Sequence, residues 1–160
     1  VKDLLSLPTS RTRILNAKFI IYIIWCLALV VSNLIIGLLI GIILQLPSTK
    51  INVLYPLLTD YFITTILTIL IGVPIPFFAL LGKGYLAPLG FVALTLVLAQ
   101  VIAAIGYGSY FPWSIPGLYS GAGGAFKNLL DKYSYLILIL TCIAGYIATV
   151  IYWKNADQTK

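Results

Sequence analysis

The stretch FIIYIIWCLALVVSNLIIGLLIGIILQL, residues 19–46, decides the fold. It carries no charged side chain, and its amide groups are Asn33 and Gln45 alone. A helix that crosses a bilayer needs about 20 mostly apolar residues. At about 1.5 Å per residue this run reaches roughly 42 Å, against a hydrocarbon core of roughly 30 Å. It therefore has to tilt, kink or protrude. Three further runs meet the same requirement, at about 58–81, 88–108 and 134–153, the third opening on Pro88 at a first-turn position. The expected fold class is all-α: a polytopic bundle of four transmembrane helices, residues 19–153.

The composition agrees. Mean hydropathy is +1.08, with 61% hydrophobic and 9% charged residues, whereas a soluble domain is about a quarter charged. The net charge of +6 reads as basic residues flanking membrane spans, so the partner is the lipid bilayer and not a nucleic acid. No signal peptide is read, because the first apolar run is too long for one. The start at Val1 reads as a fragment or a processed product. Cys26 and Cys142 sit inside apolar runs and read as small buried hydrophobes, not a disulfide.

The connections are asymmetric. With four spans, one side holds Lys2, Arg11, Arg13, Lys18, Lys83, Lys154 and Lys160, and the other Lys50, Lys127 and Lys132. Basic residues favour the cytoplasmic side, which places residues 1–18 and the tail 154–160 there.

Within the spans, Asn33, Gly37 and Gly41 fall four apart on one helix face, as do Gln100, Ala104 and Gly108. Such small-residue spacing lets helices approach closely. Ala144 with Ala148, and Gly145 with Thr149, repeat it in the last span. Asn33 and Gln100 read either as an interhelical hydrogen bond, worth about 0.6 kcal/mol on average, or as part of a substrate path. GVPIP, residues 72–76, removes two backbone donors and predicts a kink facing protein or water. Asp60, at the outer start of the second span, reads as interfacial.

Catalytic patterns are missing. With no His and no Glu, the common zinc and metalloprotease motifs cannot be written. Ser120 has no His to act as its base. The glycines around it lack the Lys-Ser/Thr ending of a phosphate loop. No covalent chemistry and no cofactor or metal site is expected in this chain.

Two segments remain. The N-terminal VKDLLSLPTSRTRILNAKF reads as a short interfacial helix, a break at Pro8 and a basic entry into the first span. YGSYFPWSIPGLYSGAGGAF, residues 107–126, is uncharged, too irregular to span and too apolar for an ordinary loop. It reads as a segment that dips into the membrane where protein satisfies its backbone, or as an aromatic loop resting on headgroups.

LLSLPTSRTRILNAKF (residues 4–19), GKGYLAPLGF (82–91) and YFPWSIPGLYSG (110–121) resemble, in this order, segments of type-2 ABC transporter permeases, the bacitracin-export group in particular. The resemblance covers almost the whole chain. It implies the last four helices of a six-helix permease, bacterial and multi-pass, with both ends of this chain cytoplasmic. It implies a second permease copy as partner, and a separate cytoplasmic ABC ATPase subunit that carries the ATP and magnesium. Lys2, Asp3, Leu4, Leu5, Leu7 and Pro8 would couple to that ATPase. Residues 109–128 would form an extracytoplasmic gate of short re-entrant helices, built around Phe111, Pro112, Trp113, Ile115, Pro116, Gly117 and Leu118. The implied cargo is an amphipathic peptide antibiotic or a lipid-like molecule. The rival expectations are a non-transporting scaffold or sensor of the same fold, and a small intramembrane enzyme.

Overall fold

The computed structural model describes residues 11–45, 51–82, 84–122 and 130–155. The main helices are α1 (Arg11–Ile43), α2 (Ile51–Gly72), α3 (Ile75–Leu81), α4 (Leu86–Ala104), α5 (Ile115–Tyr119) and α6 (Lys132–Asn155), with two 3-10 turns at Gly108–Tyr110 and Pro112–Ser114. No strand occurs among the described residues. Four stretches are long and apolar enough to cross a membrane: Thr12–Ile43, Val53–Leu81, Leu86–Ala104 and Lys132–Asn155. The protein is an all-α, multi-pass membrane bundle.

Helix formation starts before the apolar runs do. α1 takes in the basic entry from Arg11, and α2 begins at Ile51, ahead of Pro56 in its second turn. Pro56 lies just past the first four donors that lack an intrahelical partner, so it leaves the carbonyl of residue 52 without its usual helical donor.

α1 begins where α6 ends. The Tyr146 hydroxyl donates to Asn16 Oδ1 at 2.9 Å, and the Lys18 ammonium sits 4.7 Å over the Trp153 ring. The end of α3 and the start of α4 share this side, called here the terminal face, since Phe77 touches Tyr152 and Phe78 stacks on Phe91 at 3.7 Å. The opposite side, the far face, holds the α4 exit and the α6 start.

The break between α2 and α3 organises the terminal half. Pro74 and Pro76 supply no amide hydrogen, and the Val73 N–H turns back to Leu70 O at 3.2 Å. This leaves Ile69 O without its usual helical donor, and the Tyr22 hydroxyl of α1 fills the place at 3.1 Å. Gly72 makes room, since a β-carbon there would strike the Tyr22 ring. From the other side α6 presses Gly145 against the break: a β-carbon at Gly145 would lie 2.7 Å from Pro74 Cα. Thr149, fully buried one turn on, donates its hydroxyl to Gly145 O at 2.6 Å. Hydroxyls elsewhere in the spans do likewise: Thr65, Thr68 and Thr141 each bond the carbonyl four residues back. A hydroxyl surrounded by hydrocarbon needs such a partner.

The core is small. Leu67, Ile115 and Leu138 form it, drawn from α2, α5 and α6. Most other large apolar side chains face outward, as lipid permits.

Candidate functional site

The site is the segment from Gly106 to Ala122, which enters the bundle at the end of α4. Gly106, at φ +87°, takes the left-handed conformation that closes α4, with Tyr107 N–H bonded to Ile102 O at 3.0 Å and Gly106 N–H to Ala103 O at 3.1 Å. This paired closure satisfies the last carbonyls and turns the chain inward. Gly108 then packs directly on α4, since a β-carbon there would lie 3.0 Å from Ala103 Cα and 2.9 Å from Leu118 Cδ1.

Short hydrogen-bonded turns carry the chain through the bundle. Ser114 Oγ donates to Phe111 O at 2.7 Å and also approaches Gly108 O. Pro112 and Pro116 each begin a turn, where their missing N–H is harmless. Gly121, at φ +76°, reverses the chain, its N–H bonded to Leu118 O at 3.2 Å. Protein covers much of this irregular backbone, as a segment dipping into a membrane would require. Ile115 is 0% exposed and Leu118 1%, and Pro112, Ser114 and Pro116 are buried as well.

The expected site residues fare differently. Ile115 and Leu118 face the core, Phe111 and Trp113 are half-buried, and Gly117 is exposed. Gln100 lines a cavity of about 260 Å³ between α2, α4 and the inserted segment, with Thr68, Ala99, Trp113 and Ser114 on its walls. Trp113 Nε1 is buried without a hydrogen-bond partner. Ala104 is exposed. In α1, Asn33 and Gly37 are exposed, and a β-carbon at Gly37 would meet nothing within 4 Å, while Gly41 is buried. Lys2, Asp3, Leu4, Leu5, Leu7 and Pro8 lie outside the described residues.

Three features are not legible in the pattern of small residues. The first is a ring path. Trp113 meets Phe91 edge-on at 5.4 Å, Phe91 stacks on Phe78, Phe78 meets Phe77 at 5.5 Å, and Phe77 meets Tyr152 at 6.0 Å. Phe91 lies in the second turn of α4, about 20 Å along the helix from Ala104, so the Trp113 ring reaches deep. The path joins the inserted segment to the Pro74–Pro76 break. The second is a groove of about 280 Å³ between α1 and α2, walled by Tyr22, Cys26, Tyr61, Thr64, Thr65 and Thr68. Tyr61 reaches across it to Val30 O at 2.9 Å, and Thr64 Oγ1 is buried without a partner. The TT..T spacing at 64–68 is the one sequence signal for this polar stripe. The third is Asp60 beside Tyr119. Burial, then the Asp60 carboxylate and Tyr135, push the Tyr119 hydroxyl above the ordinary phenol value. Asp60 thus faces the inserted segment, which a one-dimensional reading of its position does not reveal.

The inserted segment packs against α2, α4 and α6, and no nucleophile–base pair occurs among the residues described above. Comparison with known proteins adds to this. The profile of the family described as ABC-2 family transporter protein matches residues 1–102. The chain is similar to a bacitracin transport permease protein, BCRB, of Bacillus licheniformis, with 27% identity over 157 residues, 98% of this chain and 75% of the relative. No solved structure matches the chain.

Proposed function

The chain belongs to the ABC-2 transporter family, and from that premise we propose that it serves in an exporter that moves an amphipathic peptide antibiotic or a lipid-like molecule out of a bacterial cell. The observation that carries this reading is the similarity to a bacitracin permease along 98% of the chain. A cytoplasmic ABC ATPase supplies the energy, and a second permease copy completes the path. The basic excess on the terminal face supports a cytoplasmic location for both ends of this chain.

The geometry supports a mechanism. ATP-driven closure of the ATPase subunits displaces the segment before Arg11. α1 transmits the movement to the α2–α3 break through the Tyr22–Ile69 bond, and the break adjoins the ring path that ends on Trp113. The segment around Ile115 and Leu118 then shifts as the outer gate. The cavity beside Gln100 and Trp113, mostly apolar with few polar groups, suits a greasy cargo.

The test is resistance. The gene is expressed with its neighbouring ATPase gene in a bacitracin-sensitive bacterium, and the inhibitory concentration is measured. A several-fold rise that disappears when the ATPase is inactivated supports the reading. Capture of the ATPase with neither resistance nor substrate-stimulated ATP turnover favours a sensor or scaffold instead.

A further inference from the structure

At the terminal face α1 and α3 do not close on each other. The Pro74–Pro76 break directs α3 onto α4 and α6, while α1 is held to α6 by Tyr146–Asn16 and by Lys18 over Trp153. The gap left between them is a slot of about 200 Å³. Leu15, Phe19 and Tyr22 line one wall, Pro76, Ala79 and Leu80 the other, and the buried Trp153 ring lies between. From Leu15 to Tyr22 the slot follows α1 for about 10 Å. Its walls are almost wholly apolar, and among the described residues Lys18 is the only charged one that lines it.

We propose that this slot binds an anionic phospholipid, one acyl chain lying between α1 and α3 and the phosphate meeting Lys18. Three observations converge. The slot is lateral, since Ala79 and Lys18 on its rim are exposed, so a chain enters from the bilayer without crossing protein. The cation stands at the mouth and not inside. Its ammonium rests against one face of Trp153 at 4.7 Å, which fixes its position and leaves donors for a phosphate oxygen. Arg13, exposed in the preceding turns, adds positive charge on the same face, whereas the described acids Asp60 and Asp131 belong to α2 and to the start of α6, away from it. A single basic residue near an anionic lipid surface is worth about fivefold in binding. The inference is independent of what the protein transports.

The experiment is native mass spectrometry of the purified full chain in detergent, titrated with phosphatidylglycerol or phosphatidylcholine. Wild type should retain one phosphatidylglycerol with a preference of about fivefold over phosphatidylcholine. Lys18→Gln should reduce that preference toward unity and still bind both lipids. Ala79→Phe, which fills the slot, should lose both adducts while circular dichroism stays unchanged. Glycerol phosphate, which has the headgroup charge but no acyl chain, should not displace the lipid. The proposal is overturned if wild type retains both lipids equally, or if both variants keep the wild-type preference. Displacement by glycerol phosphate would also overturn it, as would a lipid-free slot that crosslinks to residues 1–10 or to a second copy.

Discussion

α1 and the Gly106–Ala122 segment invert the usual relation between sequence and burial. α1 is among the most apolar stretches of the chain, yet among its described residues only Leu15 and Gly41 are buried. The inserted segment, broken by Pro112, Pro116 and several glycines, contributes Ile115 and Leu118, two of the most completely buried side chains described. In water the more apolar element would be the core. In a bilayer the solvent is itself apolar, so Ile35 or Ile36 gains nothing by leaving it. What cannot be left in lipid is backbone without hydrogen-bond partners. A regular helix satisfies its own, whereas a chain of short turns needs protein around it. Burial here follows backbone irregularity more than side-chain apolarity.

The comparison can be broken by substitution, read as unfolding free energy in detergent or as midpoint temperature. One of the two largest effects is expected for Ile115→Ala, about 2 kcal/mol, the low end of the range for core truncations because only packing is lost when the alternative solvent is apolar. Gly145→Val should cost about 1–3 kcal/mol, because its side chain would meet Pro74 backbone that cannot step aside. Tyr22→Phe, which removes the donor to Ile69 O, should cost about 0.6 kcal/mol, the average for hydrogen bonds between membrane helices. Ile35→Ala, at a position 52% exposed, should change stability by less than about 0.5 kcal/mol. If Ile35→Ala proved as costly as Ile115→Ala, the α1 surface would be covered by protein and the contrast would fail. The pair Gly37→Leu and Gly145→Val sharpens the point. Both positions carry the same small-residue signature, but only the second meets another helix within the described chain.

That pair also shows where one-dimensional reading stops. The spacing Asn33–Gly37–Gly41 and the pairing Gly145–Thr149 look equivalent in sequence, because periodicity reports which residues share a face and not what the face meets. Gly72 and Gly145 are both spent on the proline break, and nothing local to either residue announces it. The Tyr22–Ile69 bond joins residues 47 positions apart, and the rings of Phe91 and Trp113 meet only because the chain turns back at Gly106. Asp60 reads as interfacial by its place along α2, and its approach to Tyr119 depends on where α5 is inserted.

The sequence by itself determined the class: four apolar helices, a proline break near the end of the second, a segment unable to span, and a basic bias toward one side. These follow from composition and length, since the cost of placing charge or open backbone in hydrocarbon is large and local. The tertiary structure alone decided which glycine faces are used, which polar groups meet, and that α1 and α3 stand apart with Trp153 between them. Those outcomes depend on side-chain shapes brought together from distant parts of the chain, and no energy term acting along the sequence distinguishes among them.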